Sequence, residues 1–478
     1  MKGISFIALL LYFIILIIAV LWEKKNHSVE DFFFAGRSLP FWALSITFIA
    51  SWWGAGSALS TSDLAYQDGM GAFWYYGMPV LLATFLMSLL AGAIRKLPFL
   101  TQGQMMEARY SKGVSKLVAF FIFLFMTFSA ASQMVGVGNF FGEYLGLSYE
   151  LAVIIGTSIV IIYSMFGGFR GVVFTDIIQF ILLLFSAIIV FAVSWKNSGG
   201  WESISEISYS LGKENYMSLA GGWKKYLSYV ITFALAWTIQ ANVWQRISAA
   251  RNVKDARKMT TLSFIMYIPL YLIVVMTGMA SLKIYPTMPK GGVILAIVKD
   301  LLPPISATIV FVGISAAIMS TMDSLINTGA MTLTMDLFGQ TGSEALRISR
   351  ISTGIVSIIG LVVSMKIRSI LEVTWIASDV ITTGVFIPLI LGFFWRRGNS
   401  KGAMSSMLAG LAFTLVHLAI SMGLNIPIPW QLHSTEQILA GMSLSLLVYI
   451  VVSLLTPPEY EKADEFMKLA RKENIKRL

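Results

Sequence analysis

The residues best suited to bind an ion lie in the apolar segment 313–336, which also contains hydroxyl, amide and carboxyl side chains. A carboxylate such as Asp323 costs about 3 kcal/mol at mid-membrane depth on insertion scales, so it requires a partner, a cation or a water-filled cavity. Oxygen atoms crowded on one helical face suit a small hard cation, and Na⁺ is the ion we predict. On a helix, one face of this segment carries small and hydroxylated residues, namely Gly313, Ala317, Ser320, Thr321, Ser324 and Thr328.

The same face has a second interpretation that involves no ion. Small residues let membrane helices pack closely, and the hydroxyls of Ser and Thr bond to carbonyl groups of their own helix. From this segment alone, a cation site and a packing face both remain open.

The elements that must position these residues are membrane-spanning helices. Of the 478 residues, 56% are hydrophobic and 13% are charged, and the apolar residues form blocks of about 20, enough to cross a bilayer. The chain has no cysteine, which excludes disulfides and thiolate metal sites. The first apolar block, 4–22, is too long for a signal-peptide core, so we expect it to remain as a span.

An all-α membrane protein with thirteen transmembrane helices is therefore predicted, as one domain over residues 1–456 followed by a cytoplasmic tail, 457–478. Most of the 35 Lys and Arg residues, Arg246 among them, fall in loops on one side, and the positive-inside rule makes that side cytoplasmic. The amino terminus is then outside. These loops, rather than binding to nucleic acid, explain the net charge of +10. The predicted spans are 4–22, 40–66, 72–94, 114–145, 149–167, 171–195, 225–247, 259–284, 304–337, 346–366, 368–395, 401–423 and 436–456.

Two of these spans are interrupted and are predicted to be broken helices. The second contains Gly54 and Gly56 between serines, and the seventh contains the polar run 237–242. Irregular backbone in a membrane is tolerated where it lines a cavity or is buried in protein, and paired broken helices mark transporter sites. The two spans open two five-span groups, about 40–195 and 225–395, which must insert in opposite orientations as an inverted repeat. Close helix packing is the alternative role of the two glycines.

Neither ATP-driven transport nor enzymatic catalysis finds support in the sequence. No glycine-rich loop precedes a Lys-Ser or Lys-Thr pair, and no metal-ligand cluster or Ser-His pair occurs at a matched depth. The tail predicts a short, charged amphipathic helix. These features indicate a secondary transporter. A membrane-embedded solute receptor or sensor on the same scaffold, without net transport, is the alternative.

Four short motifs follow one another along the chain, namely FAGRSLP (34–40), YSMFGGFRG with FTDIIQ (163–171 and 174–179), QRISAAR (245–251) and RGNSKGAMSSMLAG (397–410). They resemble motifs of the sodium:solute symporter family, which includes carriers of proline, pantothenate, sialic acid, iodide and glucose. Each motif is short, but their order along the chain matches the family over about residues 31–410.

The resemblance implies a LeuT-like fold with a sodium site between the second and ninth spans. Five oxygen atoms without a carboxylate suit a monovalent ion that must bind and leave in every cycle. Carried over onto this sequence, the sodium ligands are the carbonyl oxygens of Ala50, Trp53 and Ala317 and the hydroxyls of Ser320 and Thr321.

A second sodium site is used by some members of the family, and the resemblance places its acid at Asp176. Here Ser320, Asp323 and Ser324 would complete the site, although an aspartate in place of a hydroxyl at position 323 makes this copy more acidic. A pairing of Asp176 with Arg170 or another cytoplasmic cation is the alternative, and it remains open.

The chain departs from the family where the solute is recognised. Sugar carriers have Asn where Gln240 stands, and proline carriers have Asp where Trp52 stands, so neither substrate carries over. Asp379 lies near the middle of the eleventh span, and an unpaired acid there predicts a positively charged amino group on the solute. Its pairing with a cation, or its protonation, is the alternative. The candidate solute-binding residues are Ser57, Gln133, Trp237, Gln240, Asn242, Trp375 and Asp379.

We therefore expect sodium-coupled secondary symport of a small organic solute by alternating access across the cell membrane. An amino acid or organic amine is favoured, and a carboxylate is the second choice. Sodium, the solute and the lipid bilayer are the expected partners. Coupling requires that the affinity for each ligand depend on conformation, and the effect is reciprocal.

Overall fold

The structure is a computed structural model that describes residues 2–22, 29–341, 344–421, 423, 432 and 434–471. Within these ranges the chain is helical and contains no β-strand. His27, His433 and the tail beyond Arg471 lie outside the described residues. The α-helices are α1 (Lys2–Trp22), α2 (Val29–Phe34), α3 (Phe41–Ala50), α4 (Thr61–Asp68), α5 (Gly77–Lys96), α6 (Gln102–Arg109), α7 (Lys112–Leu145), α8 (Tyr149–Ser198), α9 (Gly200–Ser210), α10 (Trp223–Thr238), α11 (Ala241–Ala249), α12 (Val253–Ile284), α13 (Val293–Asp300), α14 (Pro304–Met331), α15 (Ala345–Lys366), α16 (Ile370–Gly384), α17 (Phe386–Leu391), α18 (Ser400–Ser421), α19 (Ser434–Leu455) and α20 (Tyr460–Arg471).

Each predicted span corresponds to helical structure where the chain is described. In these residues, eight helical stretches are long and apolar enough to cross a membrane, and three shorter apolar helices are Gly3–Ile18, Phe41–Ala50 and Tyr149–Met165. The fold is therefore that of a multi-spanning helical protein. The eight stretches are Gly56–Lys96, Lys112–Leu145, Gly167–Ser198, Val253–Ile284, Pro304–Leu337, Ala345–Lys366, Ser400–Ser421 and Ser434–Leu455.

The helix α8 contains two arms that the sequence predicts as separate spans. Its 50 residues would extend about 75 Å if straight, far beyond the hydrocarbon core of a bilayer. The helical backbone breaks at Gly168, where φ is 54° and ψ is −164°. A Cβ atom at this position would lie 2.6 Å from the carbonyl oxygen of Phe32. Glycine is required there because it alone tolerates both the backbone angles and the close approach of α2.

The helix α14 forms the centre of the protein, and every residue from Val310 to Met331 is buried. It packs against α7, α8 and α15. At Gly313, a Cβ atom would lie 2.0 Å from the hydroxyl of Ser186 and 2.6 Å from the carbonyl oxygen of Leu182, both on α8. The small residues of α14 therefore do permit close packing at this end of the helix, and the polar residues 320–328 follow about two to four turns later.

The predicted amphipathic tail helix is present as α20, which packs against α5 and α6. Its apolar residue Phe466 contacts Phe393, with 5.2 Å between the ring centroids. On its polar face, Asp464 accepts two hydrogen bonds of 2.6 Å from the guanidinium of Arg396. These hydrogen bonds and the adjacent positive charge hold the pKa of Asp464 below its usual range. The described part of the tail is thus docked on the protein rather than free.

Candidate ion and solute site

The first element of the site is the interruption that follows α3. The helix ends at Ala50, and helical structure resumes with the π-helical segment Gly56–Ser60. The hydroxyl of Ser51 donates to the carbonyl of Thr47 at 2.8 Å, and the amide of Ala55 donates to Gln133 Oε1 at 2.8 Å. A Cβ atom at Gly54 would lie 2.1 Å from that same Gln133 oxygen. Gln133 of α7 thus accepts a hydrogen bond from a backbone amide in the interruption. Glycine is needed at position 54 because a Cβ atom there would collide with the Gln133 side chain.

The polar face of α14 meets this interruption at the carbonyl oxygen of Ala50. The hydroxyl of Thr321 lies 3.0 Å and that of Ser320 lies 3.3 Å from this oxygen. Thr321 also donates to the carbonyl of Ala317 at 3.3 Å. Trp53 is buried in the same interruption, and its ring contacts Tyr271. The structure therefore brings four of the five predicted sodium ligands into mutual contact and places the fifth three residues from Ala50.

These residues fit a monovalent cation by their chemistry. The contacting groups are carbonyl and hydroxyl oxygens, and none carries a charge. Hydroxyl oxygens retain lone pairs for a cation, and half-helix ends with free carbonyls coordinate Na⁺ in transporters. The seventh predicted span has a comparable interruption, because α10 ends at Thr238 and α11 begins at Ala241.

Asp176 on α8 joins the predicted sodium ligands to a buried arginine. Its carboxylate accepts hydrogen bonds from Ser320 and Thr47, and Arg246 Nη2 lies 3.4 Å from Asp176 Oδ2. Both side chains of this ion pair are fully buried. The sequence leaves two roles open for Asp176, a contact with Ser320 in a sodium site and a pairing with a cation. In the structure Asp176 makes both contacts, one with Ser320 and one with Arg246.

The partner of Asp176 is not Arg170, which donates to the carbonyl of Ala35 at 3.3 Å. It is Arg246, which the sequence predicts in a basic cytoplasmic loop. That placement is wrong, because Arg246 lies in α11 with none of its surface exposed. The charge-count method fails here because it assumes that every arginine near a span end faces water.

Each guanidinium nitrogen of Arg246 donates a hydrogen bond to a neighbouring group. Nε contacts both oxygens of Thr47 at 3.1 Å, Nη1 donates to the carbonyl of Asn242 at 2.8 Å, and Nη2 donates to the hydroxyl of Ser324 at 2.7 Å. The guanidinium also lies 5.2 Å from the ring centroid of Phe169. Arg246 therefore contacts both Asp176 and Ser324 and occupies the space between them.

Asp323, the third residue predicted for the second sodium site, makes a different contact. Its Oδ1 atom accepts a hydrogen bond from Ser164, in the first arm of α8. Successive residues of a helix point about 100° apart, so Asp323 and Ser324 face different neighbours. The residues predicted for the second site are thus divided between two places.

A small cavity lies beside the contact between Thr321 and Ala50. Its volume is about 40 Å³, room for about three water molecules, so an organic solute requires the surrounding helices to move. Aromatic rings form much of its wall, with 5.9 Å between the centroids of Trp52 and Trp237 and 4.9 Å between those of Tyr76 and Trp237. The lining residues are Ser51, Trp52, Tyr76, Val80, Ser129, Ser132, Gln133, Trp237, Gln240, Thr321, Leu325 and Thr374.

Three of the seven predicted solute-binding residues line this cavity, namely Gln133, Trp237 and Gln240. Gln240 also accepts a hydrogen bond from the indole of Trp52 at 2.5 Å. This contact joins the two interrupted helices across the cavity. The cavity wall contains hydroxyl, amide and aromatic groups and no ionisable acid or base apart from the phenol of Tyr76.

The other four predicted solute-binding residues lie outside the cavity lining. Ser57 is bonded to the hydroxyl of Tyr271 at 2.8 Å, and Trp375 packs on Tyr229 with 4.8 Å between ring centroids. Asn242 is buried beside Arg246. Asp379 is 5% exposed, and its Oδ2 atom lies 3.5 Å from Gln437 Nε2 on α19.

Several residues of the site were not predicted from the sequence. Ser129 and Ser132 follow helical spacing with the predicted Gln133 on α7, and this polar patch in an apolar helix was a usable signal. Ser164 lies within a family motif but was not predicted as a site residue, and Tyr76, Thr374 and Thr47 carried no such signal. They reach the site because helices distant in the sequence pack together around it.

Comparison with known proteins identifies the kind of protein that carries this site. The sequence model of the sodium:solute symporter family matches residues 32–410. The chain belongs to the sodium:solute symporter family.

Three relatives are similar to this chain over two thirds or more of their own length. A sodium/glucose cotransporter from Vibrio parahaemolyticus is 24% identical, and the alignment covers 86% of this chain and 85% of the relative. The osmoregulated proline transporter of Bacillus subtilis is also 24% identical, over 95% of this chain and 94% of its own. A sodium/myo-inositol cotransporter 2 from Mus musculus is 23% identical, over 86% and 69%.

Solved structures show the fold to which the chain is similar. A Na⁺-coupled sialic acid symporter in a substrate-bound outward-open state aligns with a TM-score of 0.81 at 17% identity, covering 95% of this chain and 98% of that chain. A nucleobase-cation-symport-1 family transporter, in a closed conformation with bound bromovinylhydantoin, aligns with a TM-score of 0.61 at 14% identity, covering 91% and 97%. The fold is LeuT-like.

The family membership decides the general activity of this multi-pass membrane protein. It is a sodium-coupled symporter of a solute, and sodium is the coupling ion. The relatives and structural neighbours are transporters rather than enzymes.

Proposed function

We propose that this symporter carries a small organic solute, with an amino acid or organic amine favoured, by alternating access. The observation that carries the proposal is the position of Thr321. Its hydroxyl contacts the carbonyl oxygen of Ala50 at 3.0 Å, and the same residue lines the cavity beside Gln133 and Gln240. One side chain therefore borders the proposed ion site and the proposed solute site.

The proposed sodium site comprises the carbonyl oxygens of Ala50, Trp53 and Ala317 and the hydroxyls of Ser320 and Thr321. These groups come from α14 and from the end of α3 with the interruption that follows it, and hydroxyls of α14 contact the backbone of Ala50 here. A movement of α3 relative to α14 would separate the ligands. Sodium affinity would then depend on conformation, and sodium binding would favour the conformation that binds the solute.

The proposed architecture has thirteen spans in one domain over residues 1–456, with inverted repeats at about 40–195 and 225–395. The interruptions after Ala50 and Thr238 support it, because each lies in the first helix of its group. In membranes, broken helices of this kind line a site at the repeat interface.

In the proposed orientation the amino terminus is outside and the tail is cytoplasmic. Arginines on the cytoplasmic side bind backbone carbonyls of neighbouring elements, as Arg95 Nε does with Ala250 at 2.5 Å and Arg251 Nε with Ser38 at 2.6 Å. Such contacts hold the cytoplasmic ends of α5, α11 and the segment before α3 together.

The proposed solute class rests on the aromatic wall and not on Asp379. An ammonium group binds the faces of Trp and Tyr by cation–π attraction, and Trp52, Tyr76 and Trp237 offer such faces in one cavity. The amides of Gln133 and Gln240 can bind further polar groups. A solute carboxylate, as in an amino acid, would lie close to the proposed sodium ion. The proline substrate of one relative has this chemistry.

The test is uptake into proteoliposomes with an inward sodium gradient. The solute panel contains proline, other amino acids, a quaternary amine, glucose, myo-inositol and a simple carboxylate. We expect sodium-dependent uptake of an amino acid or amine. Sodium-dependent uptake of sugars or polyols alone would leave symport intact but reject the proposed solute class.

A further inference from the structure

The interruption between α10 and α11 exposes backbone carbonyl oxygens that need hydrogen-bond donors. The oxygen of Thr238 accepts from the indole of Trp244 at 2.8 Å, and the oxygen of Ile239 accepts from Gln102 Nε2 at 2.8 Å. Trp244 belongs to α11 itself, whereas Gln102 is the first residue of α6. Gln102 therefore connects the interruption to a helix from a distant part of the chain.

The hydrogen bond from Gln102 is made at a position that does not otherwise suit a polar side chain. Gln102 is 4% exposed, and its Oε1 atom is buried without a hydrogen-bond partner among the described residues. An unpaired buried oxygen costs about as much free energy as one hydrogen bond contributes, or more. An apolar side chain of similar size would avoid this cost. Stability alone therefore does not explain a glutamine here.

The helix α6 is itself fixed to the ends of two other spans. The guanidinium of Arg109, fully buried, donates to the carbonyl of Gly392 at 2.9 Å, directly after α17. At the other end of α6, the hydroxyl of Thr101 donates to the carboxylate of Asp336, in the segment that follows α14. A Cβ atom at Gly103 would lie 2.5 Å from the carboxyl carbon of Asp336. The helix α6 thus follows the end of α14 closely.

The interruption that Gln102 contacts adjoins the cavity. Gln240, the residue after Ile239, lines that cavity, as does Leu325 on α14. Beyond these two residues the chain continues into α11 and into the last turns of α14. In the proposed orientation both segments lie on the cytoplasmic side of the cavity. A path from the cavity to the cytoplasm between them opens when α11 moves away from α14.

We propose that Gln102 is a positioning residue for transport, a latch that keeps the cytoplasmic side of the cavity closed. Because α6 is fixed to the end of α14, a movement of α11 away from α14 must break the hydrogen bond between Gln102 and Ile239. The latch thus favours the closed arrangement and is released when the solute leaves toward the cytoplasm. The inference rests on the alternating access of the proposed function.

Loss of the latch should shift an equilibrium rather than stop transport. Arg246 also joins α11 to α14, through its hydrogen bond of 2.7 Å to the hydroxyl of Ser324, so closure does not depend on Gln102 alone. The net contribution of one hydrogen bond corresponds to about a fivefold change in an equilibrium constant. The population that is open to the cytoplasm should therefore rise about fivefold without Gln102.

Labelling of single cysteines in the full-length protein tests the latch, because the chain has no cysteine of its own. Leu325→Cys places a thiol in the cavity wall, and a membrane-impermeant methanethiosulfonate reagent is applied to inside-out vesicles. Gln102→Met in this background should raise the labelling rate about fivefold, because methionine fills a similar space without the amide donor. Thermal stability should stay equal or increase, because the unpaired oxygen is removed as well.

Gln104→Met is the matched control on the same helix. Its amide oxygen accepts from the backbone amide of Leu100 at 2.9 Å, a contact local to the start of α6, so the labelling rate of Leu325→Cys should not change. Val80→Cys, in the cavity wall on α5, reports access from the external side in right-side-out vesicles. Gln102→Met should not raise its labelling rate.

The outcomes separate the latch from the proposed function. Labelling of Leu325→Cys at the wild-type rate in Gln102→Met overturns the latch and leaves symport intact. A rise that Gln104→Met shares, or that Val80→Cys shows equally, also overturns it, because the protein is then loosened as a whole. Absence of sodium-dependent uptake by the wild type, with labelling at both positions unaffected by sodium, counts against the proposed function instead.

Folding of the variants is checked by gel filtration. If Gln102→Met does not fold, Gln102→Leu is labelled in its place. Failure of both variants to fold overturns the inference, because a contact that breaks in every transport cycle cannot be essential for folding.

Discussion

The hydroxyl of Thr321 on α14 lies 3.0 Å from the carbonyl oxygen of Ala50, the last residue of α3. These two residues are far apart in the sequence, and their contact closes the interruption of α3 against the central helix. Because Thr321 also lines the cavity, the proposed ion site and the proposed solute site share one side chain.

Thr321→Ala should raise the half-saturating sodium concentration for uptake about tenfold, because one hydroxyl ligand is removed while the packing changes little. Uptake as a function of external sodium measures the effect. Thr321→Ser keeps the hydroxyl and should retain most of the affinity. An unchanged sodium dependence in Thr321→Ala would contradict the proposed site.

Asp176→Asn should impair both the sodium response and stability. The substitution replaces one of the two carboxylate oxygens that accept from Ser320 and Thr47 with an amide donor, and it leaves Arg246 buried with its pairing broken. Breaking a buried ion pair costs about 3–5 kcal/mol. Thermal unfolding in detergent and uptake together measure this.

The double variant Asp176→Asn with Arg246→Gln removes both charges of that pair. It should be more stable than either single variant, because no unpaired charge remains. Wild-type stability and wild-type sodium dependence in Asp176→Asn would show that the pair has no role in either.

Trp237→Leu should raise the solute KM about tenfold and change the half-saturating sodium concentration much less, because it removes an aromatic face of the cavity. The control is Trp375→Leu, a tryptophan that packs on Tyr229 outside the cavity lining. Equal effects of the two substitutions on KM would show that the solute does not bind where the cavity lies.

Asp379→Asn tests the solute-binding role that the sequence suggests for this acid. Asp379 lies beside Gln437 and outside the cavity lining, so the solute KM should stay within about twofold of wild type. Removal of an incompletely bonded buried carboxylate should leave thermal stability equal or higher. A large rise in KM for an amine substrate would restore Asp379 as a solute ligand.

Gly168→Ala should lower the yield of folded protein. The backbone angles at Gly168 are restricted almost entirely to glycine and cost other residues about 1–3 kcal/mol, and the added Cβ would also collide with Phe32. Gly354→Ala is the control, since a Cβ atom there meets nothing within 4 Å. Gel filtration of the two variants gives the comparison, and equal monodisperse yields would show that the break in α8 is not essential.

Much of this protein is predictable from the sequence because the membrane limits the possible structures. Apolar blocks of about 20 residues have to be helices in a bilayer, since every backbone polar group must be bonded internally. The positions of the helices, the interruptions near Gly54 and Gln240 and the polar face of α14 follow from this rule. The resemblance to the family adds the predicted sodium ligands around Ala50 and Thr321.

The tertiary structure alone decides which polar groups meet. Arg246 looks like a loop residue from its position near a span end, yet α11 packs against α3 and α14, and Arg246 is buried beside Asp176. Asp323 and Ser324 are neighbours in the sequence and face different partners, Ser164 and Arg246. Periodicity states which residues share a helical face but not which helix that face meets, because contacts between distant segments depend on how all the helices pack at once.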